Sequence, residues 1–167
     1  QRGGNAINID FDDMTHDYHR YTYKITHCEA NWKESEGLFD TDYLQGFNGE
    51  LVIDDIEQSL NTNHQYTHYH LSIPNENCRI KMSGNYKLTV YDDNAEEGEN
   101  IMFTAYFMVV DPKLNVALAY TSNTDIDNNG AHQQVKMTVD YRNIHTTAPN
   151  QQIKTVVLQN GRWDNAV

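Results

Sequence analysis

Few residues in this sequence have the type and spacing that chemistry needs. His68 and His70 stand two apart, so on a β-strand both imidazoles leave the same face and a His-x-His metal pair is geometrically open. No carboxylate stands at a fixed spacing to complete it, and the expected reading is two polar residues on a wet strand face. Asp125–Ile126–Asp127–Asn128–Asn129–Gly130 places oxygen donors at alternate positions and Gly sixth, like the first half of a calcium loop. The twelfth position is Lys136, not the bidentate acid that closes such a cage, so a polar turn is expected. Asp92, Asp93, Glu96, Glu97 and Glu99 form an acidic run. Carboxylates in a solvated loop have no environment to split their pKa values into acid and base. Cys28 and Cys78 lie in no C-x-x-C pair, which excludes a thiolate zinc site on ligand count. They allow either one disulfide or two buried free thiols. Phosphate loops, dinucleotide fingerprints and G-x-S-x-G elbows are absent. No catalytic residue, metal or cofactor is expected.

The segment between Cys28 and Leu51 has no clear periodicity and holds Trp32, Phe39, Tyr43 and Phe47 among acidic and Gly residues. Long aperiodic loops in compact domains are often functional. These four aromatics are therefore candidate anchors for a partner surface. The alternative is that they fold back as a cap.

The elements that must position these residues are strands. Tyr21, Tyr23 and Ile25 alternate with polar residues, as do Tyr69, Leu71 and Ile73, and Tyr86, Leu88 and Val90. Period two with one apolar face predicts half-buried antiparallel strands. Ile101 to Val110 is apolar on both faces, which predicts a strand that is central or covered on its second side. Ala6 to Phe11, Val116 to Tyr120, Val135 to Tyr141 and Ile153 to Leu158 are further expected strands. Asp54 to Leu60 reads as a strand or a short helical turn. Turn residues at 46–49, 74–77, 92–98 and 128–130 separate these runs. Many short strands so punctuated predict an all-β, immunoglobulin or fibronectin III-like antiparallel sandwich. Tyr86, opening the penultimate strand of the sandwich, stands where such folds place a tyrosine corner. Asp111–Pro112 interrupts strand pairing. It predicts a sandwich over 1–111 and, over 112–167, the first strands of a second, incomplete β module.

Composition narrows the function. Twelve Lys and Arg face 24 Asp and Glu, a net charge of −12. The scattered bases argue against nucleic acid, which needs clustered cations to displace counterions. No apolar run approaches the ~20 residues of a membrane span, so no direct membrane insertion is expected. Eleven of 18 aromatics are Tyr, a content that argues against disorder.

Five motifs come in order: His27–Cys28–Glu29–Ala30–Asn31–Trp32, Tyr66–Thr67–His68–Tyr69 running to Glu76, Ser83–Gly84–Asn85–Tyr86, Phe107 to Pro112, and Gln159 to Asp164. Together they resemble the N-terminal region of the type IX secretion system plug proteins of the Bacteroidetes. The resemblance implies a periplasmic β-rich protein associated with the outer membrane and no enzyme activity. It implies an outer-membrane translocon barrel as partner, with the chain closing its periplasmic mouth. A monomer or weak dimer suits reversible closure through a partly polar interface. The competing reading is an envelope glycan-binding sandwich, in which Trp32 and Tyr43 stack on sugars.

Overall fold

The computed structural model describes residues 6–15, 18–46, 49–96, 100–124, 131–164 and 166. The chain divides into two compact units, 1–111 and 112–167. In the first, the strands are β1 (Ile7–Asp13), β2 (Tyr21–Cys28), β3 (Leu44–Gly46), β4 (Leu51–Val52), β5 (Asp55–Gln58), β6 (Thr67–Ile73), β7 (Cys78–Ile80), β8 (Gly84–Asp92) and β9 (Ile101–Val109), with one helical turn, α1 (Asp40–Tyr43). In the second, β10 (Asn115–Thr121), β11 (Gln134–Asp140) and α2 (Pro149–Gln152) follow.

The first unit is a sandwich. One sheet runs β1-β6-β5, the other β4-β2-β8-β9, and β3 pairs with β7 apart from both. All pairings are antiparallel. The connectivity puts β1, β6 and β5 in the places of strands B, E and D of an immunoglobulin-like sandwich, and β2, β8 and β9 in those of C, F and G. Tyr21, Tyr23 and Ile25 of β2, Tyr69, Leu71 and Ile73 of β6, and Tyr86, Leu88 and Val90 of β8 close one core between the sheets. Alternation drives this arrangement: with period two, burying one residue of a strand buries its whole row.

Tyr86 is fully buried, and its hydroxyl donates to the Met82 carbonyl at 2.7 Å. Burial raises its pKa. Its ring stacks on Phe107 at 5.5 Å. Gly84 begins this strand at φ +154°, and a Cβ there would meet His27 Nε2 at 2.2 Å. The close approach of the His27 ring therefore requires glycine.

Two expectations are corrected here, and one alternative is decided in favour of the strand. The run 101–110 is not central: β9 ends its sheet. Ile101, Met102, Tyr106, Met108 and Val110 stand exposed while Phe103, Phe107 and Val109 pack on the core. Residues 153–158 form no ladder and follow α2 as extended chain. Asp54 to Leu60 resolves as the strand β5.

In the second unit β10 and β11 form a hairpin whose register sets Val116 opposite Val139, Leu118 opposite Met137 and Tyr120 opposite Val135. These six apolar residues share one face, and Val116, Leu118, Tyr120 and Val135 are exposed on it. Ala117, Ala119, Lys136 and Thr138 take the other face. A two-stranded ribbon is marginal alone in water.

Candidate partner-binding surface

The turn after β2 brings the first candidate aromatic to the surface. An isolated bridge joins Cys28 and Glu34, and the Trp32 N–H donates to the Glu29 carbonyl at 2.9 Å. Trp32 itself sits at φ +65°, a conformation uncommon for large side chains. Its half-buried ring meets Tyr106 of β9 edge-on, with centroids 5.3 Å apart and planes at 81°. Tyr106 is 58% exposed, and Met102 and Met108 on the same outward row are 49% and 55% exposed. Lys87 stands opposite Tyr106 on β8 and pairs with Glu34, whose bond raises the Lys87 pKa. Trp32, Tyr106, Met102 and Met108 thus make an aromatic and thioether surface on the outer side of the four-stranded sheet. The sequence marks this row as apolar; that it faces water is a property of the fold.

Phe39 is 77% exposed. Its N–H donates to Asp42 Oδ2 at 2.8 Å and its carbonyl accepts from the Asp42 N–H at 2.8 Å, which fixes the entry to α1. Tyr43 corrects the expectation of a partner-facing side chain. It is only 3% exposed, packed near His27 and Tyr86, with its hydroxyl donating to Asp40 Oδ1 at 2.5 Å. Burial, and then the Asp40 carboxylate, raise its pKa. The same burial removes Tyr43 as a sugar-stacking platform. Phe47 lies outside the described residues, as do Glu97, Glu99 and the 125–130 segment.

The opposite sheet carries a charged face. Register sets Asp10 and Asp55 on either side of His70, and Asp12 and Glu57 on either side of His68. His70 Nδ1 lies 2.5 Å from Asp10 Oδ1, and His68 Nδ1 lies 2.7 Å from Asp12 Oδ1. The bond with His70 is the main cause lowering the Asp10 pKa, and the bond with Asp12 is the main cause raising that of His68. Folding supplies the carboxylates that sequence spacing lacked, from 56 and 60 residues away. Yet no group of three or more His, Cys, Asp or Glu among the described residues is arranged to hold a metal ion. Near His70 a cleft of about 250 Å³ is bordered by Asp54, Asp55, Ser72, Asn75 and Glu76. Asn75 is consumed by structure: its amide donates to the Tyr23 hydroxyl and the Ser72 carbonyl, while its oxygen accepts from the Asn77 and Cys78 N–H groups.

Two more candidates are structural. Asp92 is buried, not solvated, with Oδ2 at 2.7 Å from His19 Nδ1 and Oδ1 accepting the Asn94 N–H. Cys28 and Cys78 are free and buried. Burial is the leading cause raising both thiol pKa values, and a protonated thiol is a poor nucleophile.

No curated protein matches the chain. It is similar to a hypothetical protein from Parabacteroides merdae known from a crystal structure, with 40% sequence identity, a TM-score of 0.81 and 99% of this chain covered. The chain spans only 41% of that protein. Residues 2–111 match the model of the type 9 secretion system plug protein 1st domain, a family of secretion-system plugs rather than of enzymes. The chain therefore belongs to the type 9 secretion system plug protein family.

Proposed function

We propose that this chain is the non-enzymatic, periplasmic part of a plug that closes the outer-membrane translocon of the type IX secretion system by binding the barrel protein. The observation that carries the reading is the family match over 2–111. Three physical features support it. A sandwich with one close-packed core is stiff, as a body held against a pore must be. The aromatic and thioether surface around Trp32 and Tyr106 is of the type that anchors protein interfaces. The net charge of −12 gives the chain a field that steers it toward a basic rim. We read 112–167 as the first strands of a second β module, supported by the exposed apolar face of the β10–β11 hairpin.

The test is permeability. Cells deleted for the gene encoding this chain should admit a large antibiotic normally excluded by the outer membrane, and restoring the gene should restore exclusion. Unchanged permeability in the deletion strain would overturn the plugging role.

A further inference from the structure

β9 ends its sheet, and among the described residues no strand pairs with its outer edge. It is nine residues long, and from Ile101 to Val110 it has no charged residue, Gly or Pro. Proteins usually blunt such an edge with Lys, Pro, a bulge or a very short strand. Here the register shift lies opposite Val90 and Tyr91, and the pairing from Phe103 to Val109 is regular. Over these seven residues backbone N–H and C=O groups alternate along roughly 23 Å of free edge at about 3.3 Å per residue. Met102, Tyr106 and Met108 line its outward side, with Trp32 seated against Tyr106.

The charge around this edge selects its occupant. Glu96 precedes the strand and Asp111 follows it. Residues 1–111 hold seven Lys and Arg against twenty Asp and Glu, a net −13, whereas 112–167 hold five against four, a net +1. Two copies joined edge to edge and antiparallel would bring Glu96 of one toward Asp111 of the other, in two bodies of like charge. Like charges so placed are unfavourable. We propose that the outer edge of β9 is a docking site for an extended segment of a partner protein, which adds as a fifth strand and is apolar at alternate positions and basic at its ends. Ladder bonds to the β9 backbone supply affinity, and apolar side chains lying beside Met102, Tyr106 and Met108 supply register. The proposal rests on reading the chain as a partner-binding module and adds the chemistry of what is bound.

The probe is a labelled synthetic peptide of alternating valine and threonine with a pair of lysines at each end. A second peptide carries glutamates in place of the lysines. Fluorescence anisotropy with the full chain should show saturable binding of the lysine peptide, at least about tenfold tighter than the glutamate peptide and weakened by salt. Hydrogen exchange should slow at β9 amides when the lysine peptide binds. The double variant Tyr106→Glu, Met108→Glu alters two exposed residues and should lose at least about tenfold in affinity while keeping its circular dichroism. If that variant unfolds, protection mapped on the unaltered chain decides alone. Absence of saturable binding, equal binding of both peptides, or protection confined to other strands would overturn the proposal. So would a stable dimer without peptide whose β9 amides are already protected. Failure of peptide binding with a leaky deletion strain removes the edge-docking proposal and leaves the plug reading standing; an intact deletion strain removes the plug role itself.

Discussion

The hydroxyl of Tyr86 reaches back to the carbonyl of Met82, four residues upstream and 2.7 Å away, from a ring that water does not touch. That bond ties the turn before β8 to the middle of the core. It joins the two features on which the rigidity of the sandwich depends, a locked strand entry and a dense aromatic interior.

Tyr86→Phe keeps the ring and its stacking on Phe107 and deletes only the donor. The Met82 carbonyl then loses this bond, at a cost of about 1 kcal/mol. Urea denaturation should show a lowered midpoint with an unchanged slope. An unchanged midpoint would contradict the structural role of the bond.

Phe39 and Tyr43, four residues apart, should behave oppositely. Tyr43→Ala opens a hole beside His27 and Tyr86 and should cost about 3–5 kcal/mol, the range for large aromatic truncations in a core. Phe39→Ala removes an exposed ring and should change stability by less than about 0.5 kcal/mol. Denaturation midpoints of the two variants check both statements.

The acid–imidazole face of the β1-β6-β5 sheet predicts a pH dependence of definite sign. The His68 pKa is raised above 6.5 in the folded chain, chiefly by its bond with Asp12. Its stabilising contribution is complete below the unfolded value and is lost as pH rises through the folded value. The Asp10 pKa is lowered below 3.8, chiefly by its bond with His70, so its contribution is present above 3.8 and is lost as pH falls through the folded value. Both contributions operate between the ordinary values of 3.8 and 6.5. Asp12→Asn should lower the denaturation midpoint in that window and converge on the wild type at higher pH. By NMR, the His68 titration should move down in this variant. An identical His68 titration in both proteins would contradict the assignment.

Leu88→Ala tests the shared core. Leu88 is fully buried in the middle of β8, so truncation should cost about 2–5 kcal/mol through lost transfer energy and the cavity left behind. A single cooperative transition at a lower denaturant concentration is expected for the first unit. A change within about 0.5 kcal/mol would contradict the packing.

Alternation made β2, β6 and β8 legible, because Tyr23, Tyr69 and Leu88 must share a face with their i±2 neighbours. Periodicity could not decide the place of β9. Apolar residues on both faces read the same whether Met102, Tyr106 and Met108 meet a covering layer or water. The apolar residues near Val156 and Val157 looked like a strand, but strand formation requires a ladder partner and the described residues supply none there. Tyr43 looked like part of a free loop because α1, a four-residue turn, is too short to show a helical period, yet it turns the ring inward. The partners of His68 and His70 were invisible because Asp12 and Asp10 arrive through strand pairing across more than fifty residues. The exposed aromatic surface was half legible: residue type marked Trp32, while its edge-on contact with Tyr106 emerged only from folding.

The measurement that bears most directly on partner binding is affinity purification from cells carrying the tagged full-length protein. The outer-membrane translocon barrel should co-purify when no substrate is passing through it. Its absence from the purified material in every secretion state would contradict the plug reading.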